Sequence, residues 1–150
     1  MAVTSSGLFV TEWLAIVNAT QLAINLTLTT SKIAMFTNTV APNFSTDTAY
    51  AVAPYNANEV SGTGYTAGGV VVASPTITES PTGSMMYDLA DTSWATSTIT
   101  NARCSLFYQD ALSPKAAICL VNFGADYSTV AGTFLITWPT TGMFAIDLTP

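Results

Sequence analysis

The stretch Glu59–Val72, EVSGTGYTAGGVVV, constrains the fold of this chain more than any other, because closely spaced glycines run directly into a β-branched triplet. Gly62, Gly64, Gly68 and Gly69 admit backbone conformations needed for a turn or bulge, and Val70, Val71 and Val72 then favour a pleated strand. A phosphate-binding loop would follow its last glycine with Lys-Ser/Thr and a helix, whereas three valines follow here. The stretch is therefore read as a strand entered through a bend, serving architecture rather than chemistry.

Further strands are predicted from Lys32 to Thr37, Tyr65 to Ser74, Met85 to Tyr87, Ser97 to Tyr108, Ala116 to Phe123, Thr133 to Trp138 and Met143 to Leu148. Ser80-Pro81-Thr82-Gly83, Ser113-Pro114, Phe123-Gly124 and Thr140-Thr141-Gly142 supply the reversals between them. Phe134, Ile136 and Trp138 share one strand face, as do Phe144, Ile146 and Leu148, and the two faces are expected to line one core. Near the N-terminus, Ser5-Ser6 caps a predicted helix beginning at Gly7, with Phe9, Trp13, Ile16 or Val17 and Thr20 at helical spacing. Leu22, Ile24, Leu26 and Leu28 then alternate, which fits either a strand or a continuation of that helix. The sum is one domain over residues 1–150, mainly β, a β-sandwich or small β-barrel with one N-terminal helix across an open end or face.

Charge narrows the partners. Charged residues are 8% of the chain against 49% hydrophobic ones, and threonine is the commonest residue, so the surface is expected to be covered by copies of itself or by a lattice. Lys32, Arg103 and Lys115 are the sole cations against nine acidic residues, a net charge of −6. They cannot form the basic stripe that nucleic acid requires, and anionic membrane is disfavoured for the same reason. The opening MAVTSSGLFVTEW lacks the cationic start of a secretory signal, so synthesis in the cytoplasm is expected. In that compartment Cys104 and Cys119 are expected as buried thiols; a hairpin brings them close, but a one-residue difference in register places them on opposite faces.

Catalytic chemistry has little to work with. The chain contains no histidine, which removes imidazole-based triads, and two cysteines alone do not complete a zinc site. Asp88 and Asp91, with Asp110 or Asp126, are the residues from which a hard-cation site or an acid and base pair would be assembled, although turn formation is the commoner role for such aspartates. Tyr50, Tyr55, Tyr65, Tyr87, Tyr108 and Tyr127 would form a sugar platform only if clustered at the surface; core and subunit packing is the expected use. No catalytic residue, metal ligand or cofactor is assigned.

One resemblance extends along most of the chain. The segment Glu59–Gly69, then Trp94 with Thr98 and Arg103, then Phe123-Gly124, then Gly132-Thr133-Phe134 with Ile136-Thr137-Trp138 and Gly142 form an ordered series. The series resembles that of small virion structural proteins of tailed bacteriophages, a group similar to capsid decoration or cement proteins. The resemblance implies a non-enzymatic subunit binding the major capsid protein on the outside of the head as a homo-oligomer, a trimer being favoured. The same pattern in head-fibre, tail and receptor-binding components is the alternative. Ala41 to Asn58 and Met1 to Leu8 are the segments expected to reach a neighbour, with cover for a hydrophobic end of the barrel the alternative for Ala41 to Asn58.

Overall fold

The computed structural model describes residues 3–17 and 24–149. Its elements are β1 (Gly7–Leu8), α1 (Val10–Val17), β2 (Ser31–Thr37), β3 (Val70–Val71), β4 (Thr76–Glu79), β5 (Ser84–Asp88), β6 (Thr92–Gln109), β7 (Ala117–Ile136) and β8 (Phe144–Asp147). They form a five-stranded sheet in the order β1-β7-β6-β2-β3 and a three-stranded sheet in the order β4-β5-β8. Every pairing is antiparallel. The expected class holds: two antiparallel sheets of the sandwich or small-barrel kind, with one short N-terminal helix.

The long β6–β7 ribbon links the layers. Phe123 and Phe134 lie 11 positions apart on β7, a span of roughly 36 Å in a straight strand, yet their rings are 6.3 Å apart. The ribbon therefore doubles back, and bulges let it do so. Register shifts separate Trp94/Ser97, Ser97/Ile99, Ile99/Ala102 and Ala102/Cys104, and at these places Thr96, Asn101, Gly124 and Ala131 take positive φ. An inserted residue adds local twist and lets a strand turn a corner between layers. It also resets the alternation: Thr92, Trp94, Ser97, Ile99, Ala102 and Cys104 are all buried, with two exposed residues at each insertion instead of one.

The large sheet is buried on both faces. Ile33, Met35, Phe107 and Cys119 belong to the core shared with Tyr87, Trp94 and Phe134, against which Trp13 and Phe144 pack. Ala34, Phe36, Cys104, Leu106 and Tyr108 belong to a second core, closed by Val3, Phe9, Val40 and Tyr55. The long segment after β2 is thus a cover for one face of the sheet. Ala49 bridges Ala116, Tyr50 N donates to Lys115 O, and Tyr55 is buried between Phe9 and Phe36. Cys104 and Cys119 sit in opposite cores as free thiols, because Cys119 pairs with Phe107, three positions from Cys104, and an odd offset places the two on opposite faces.

Several boundaries differ from expectation. The helix starts at Val10, because Gly7 and Leu8 pair with β7; Ser6 Oγ accepts from Asn122 N rather than capping, and Val10 N donates to Phe44 O. The expected strands Ala116 to Phe123 and Thr133 to Trp138 are parts of one strand, since Gly124 makes a bulge and not a reversal. Trp138 lies beyond that strand, its N–H held by Asp91. Only Val70 and Val71 of Tyr65 to Ser74 are strand, and β4 was not foreseen. Phe144 enters the core while Leu148 is exposed, so the expected shared face is realised only in part. Residues 24–30 form turns, with Asn25 Oδ1 accepting from Thr27 N. Thr20 and Leu22 lie outside the described residues. Within Ala41 to Asn58, Ala49 and Tyr55 are buried against the sheet while residues 51–53 and 56–58 are exposed, and of Met1 to Leu8 Val3 is buried, residues 4–6 are exposed, and Met1 and Ala2 lie outside the described residues.

Candidate functional site

The glycine-rich motif resolves into an interrupted edge strand. Glu59 bridges Phe36 and Val60 N donates to Met35 O, while Val70 and Val71 pair with Ile33 and Lys32. Residues 61–69 leave the edge and return to it three positions further along β2. Closure is tight: a Cβ on Gly69 would stand 1.8 Å from Ile33 O, and one on Gly62 1.9 Å from Thr98 O. The excursion lies against β6, where Thr98 N donates to Thr63 O.

Glu59 holds this excursion in place. Its Oε1 accepts from Tyr65 Oη at 2.6 Å and Gly68 N at 2.7 Å, and its Oε2 accepts from Tyr50 Oη at 2.6 Å. Tyr65 Oη also accepts from Met35 N at 2.9 Å, satisfying a donor left where the edge strand is interrupted. Tyr108 Oη donates to Gly68 O, and its ring stacks on Tyr50 at 4.5 Å. Burial, followed by the Glu59 carboxylate, pushes the Tyr50 and Tyr65 hydroxyls well above the ordinary phenol range, so both act as neutral donors. Tyr65 belongs to one core and Tyr50 to the other, so a single carboxylate ties the two layers together. Sequence reading found the glycines but not this partnership, because Tyr50 comes from a segment with no periodicity.

The four aspartates do separate work. Asp88 Oδ1 accepts from Leu89 N, and Asp91 Oδ1 accepts from Trp138 N. Asp110 bridges Lys32 at 2.9 Å and Lys115 at 2.7 Å. Burial raises the Asp110 pKa, but the bonds and charges of Lys115 and Lys32 outweigh it and hold the carboxyl below its usual range. Asp126 pairs with Arg103 at 3.2 Å. All three cations of the chain are thereby engaged. Among the described residues, no group of three or more Asp, Glu, Cys or His is placed to share a metal ion. Five of the tyrosines are buried or half-buried as expected, and Tyr127 alone is exposed.

What remains open is the outer edge of β7. β1 covers it only at Cys119 and Leu120, and Ser6 Oγ takes Asn122 N. Beyond Asn122 no described element pairs with that edge. The doubled ribbon leaves an open groove of about 440 Å³ there, with Phe123, Tyr127 and Leu135 contributing apolar surface and Ser128, Thr129 and Thr133 hydroxyls. Val130 is 83% exposed, Leu135 53% and Tyr127 52%. One signal in the sequence marks this strand: Ala116 to Trp138 contains no proline, and a lone glycine within a strand pattern favours a bulge over a turn. The groove offers contact area and hydroxyl partners without a charged group free to react.

Comparison with known proteins returns no matching family model, no matching curated protein and no matching solved structure.

Proposed function

We propose that this chain is a non-enzymatic capsid decoration or cement protein, made in the host cytoplasm and bound as a symmetric homo-oligomer to the outside of an assembled tailed-phage head. Its partner is the major capsid protein. The observation that carries the reading is the open β7 edge and groove, an uncharged surface of apolar and hydroxyl groups on a scaffold buried on both sides. Contact of this kind suits extended association better than turnover. The ordered motif series from Glu59 to Gly142 and the low surface charge support the same reading.

The mechanism is mass action. A protein that binds the assembled shell and not its dispersed subunits stabilises it by RT ln(1 + [L]/Kd), roughly 2.7 kcal/mol per site at a hundredfold excess over Kd. Linked contacts within one oligomer raise the effective concentration at each neighbouring site. Imaging of purified particles at side-chain detail tests the proposal. Density for this chain at repeated icosahedral positions is the expected result, and density confined to a vertex, tail or fibre overturns it. Tyr127 at the rim of a hydroxylated groove favours a second reading, a receptor-binding fibre or tail component. For that reading the expected result is saturable binding on a glycan array, abolished by Tyr127→Ala.

A further inference from the structure

We infer that the overhanging face of the small sheet docks an apolar segment of a different protein, one that carries lysine or arginine beside its bulky side chains. The inference does not rest on the capsid reading, and no residue of this surface lines the β7 groove. Ile77, Tyr87 and Phe144 stand abreast on β4, β5 and β8, and Glu79, Met85 and Ile146 stand abreast two positions away. Side chains two positions apart share a face, so all six belong to one face of the small sheet. Tyr87 and Phe144 enter the core, whereas Ile77, Met85 and Ile146 lie past it. There Ile77, Glu79, Gly83, Met85 and Leu148 line an open cleft of about 480 Å³, within the roughly 300–1,000 Å³ of ordinary binding pockets. Ile77 is 38% exposed and Leu148 70%.

Charge decides the occupant. Residues 33–102 and 116–150 contain no lysine or arginine, and the three cations of the chain are held by Asp110 and Asp126. Glu79 on β4, Asp88 on β5, Asp91 just beyond it and Asp147 on β8 therefore have no lysine or arginine to neutralise them. Glu79 stands at the cleft itself, its Oε1 accepting from Gly83 N at 2.9 Å. Asp147, beside Leu148, accepts through Oδ1 from Thr149 N at 3.0 Å. In the β7 strand, by contrast, the one carboxylate, Asp126, is paired with Arg103. Apolar surface and unneutralised negative charge coincide at the small sheet.

A second copy is a poor occupant, since its cations are already engaged and its own small sheet brings the same carboxylates to the seam. An anionic membrane is repelled in the same way. Among the described residues no three of these carboxylates meet to hold a metal ion. They are spread out instead: Glu79 and Asp88 lie at opposite ends of the β4–β5 ladder, where Asp88 faces Thr76, a separation of roughly 10 Å along the strand. A peptide chain spans that distance with cations at intervals while its apolar side chains fill the cleft; a single small cation does not.

An array of random octapeptides probed with the full chain reads the preference. Bound peptides are expected to be enriched in lysine or arginine together with leucine, isoleucine or phenylalanine, and to bind more weakly as salt is added. Leu148→Ser is expected to reduce their affinity at least about tenfold. Glu79→Gln keeps Oε1 for Gly83 N and loses only the charge, and is expected to reduce it about two- to fivefold. Both side chains are exposed, so the melting temperature is expected to stay unchanged. A blank array, enrichment in acidic or uncharged sequences, or basic peptides held equally by both variants overturns the proposal. Methyl NMR on the wild-type chain gives a reading free of any folding defect in a variant. Titration with the tightest basic peptide is expected to shift the Met85 methyl signal and to leave that of buried Met35 in place, and a Met85 signal that does not move overturns the proposal.

Discussion

Removing the Glu59 carboxylate is expected to loosen both layers at once. It accepts three hydrogen bonds of 2.6–2.7 Å from Tyr50, Tyr65 and Gly68 in a half-buried setting. Hydrogen bonds to a charged group contribute about 1.5–3 kcal/mol each, and bonds sharing one acceptor are not additive. Glu59→Ala is therefore expected to cost about 3–5 kcal/mol, a large part of the roughly 5–15 kcal/mol that holds a domain together. Glu59→Gln keeps one oxygen for Tyr65 and Gly68 and turns an amide toward Tyr50, whose hydroxyl can rotate to accept, so about 1–2 kcal/mol is expected. Tyr65→Phe orphans Met35 N as well as one carboxylate bond and falls between, at about 2–3 kcal/mol. The double variant E59A/Y65F is expected to lose about 1–2 kcal/mol less than the sum, because the two share a bond. Equilibrium urea unfolding followed by tryptophan fluorescence measures all four, provided the denaturant slope stays constant. A loss below about 1 kcal/mol for Glu59→Ala, or equal losses for Ala and Gln, refutes the reasoning.

Two glycines separate close approach from backbone preference. Gly69→Ala drives a Cβ to 1.8 Å from Ile33 O at φ 72° and is expected to cost about 3 kcal/mol or more, whereas Gly124→Ala, at φ 81° with nothing within 4 Å, is expected to cost about 1–2 kcal/mol; comparable melting shifts would sink the distinction. Burial pushes the Cys104 and Cys119 thiols up to about 12. The unfolded chain releases those protons near pH 8.5 while the folded chain retains them, so the contribution is complete below that pH and falls by about 1.4 kcal/mol per pH unit per thiol above it. Urea midpoints are expected to decline between pH 8.5 and 10.5, and a flat profile there would refute the assignment.

Local chemistry in the sequence announced local features. The KIAMFT strand, the Pro-Gly and Ser-Pro reversals, the bend at Gly62–Gly69 and the burial of both thiols follow from residue type and spacing, and the structure contains each. Three features depend on distant partners. The extent of β7 was obscured because Gly124 suits a turn and a bulge equally well, and only pairing with β6 decides between them. The helix start moved because β7 takes Gly7 and Leu8, a competition invisible within ten residues. The segment Ala41 to Asn58 lacks periodicity because it covers a sheet with irregular backbone, holding Tyr55 and Ala49 in place one residue at a time. Of the candidate surface, Tyr127 was among the residues singled out, but the groove exists only because the ribbon doubles back.

The bulges of the β6–β7 ribbon make this fold sensitive to counting. Trp94 and Ile99 point inward because one residue has been added between Trp94 and Ser97 and another between Ile99 and Ala102. Many substitutions at Thr96 or Asn101 keep that count, while deleting either residue reverses the inward and outward roles of every position on one side of it. Chains descended from a common ancestor with this one are therefore free to drift far in identity while insertions and deletions along the ribbon are eliminated. Spacing, more than residue identity, is the inheritance such a ribbon passes on.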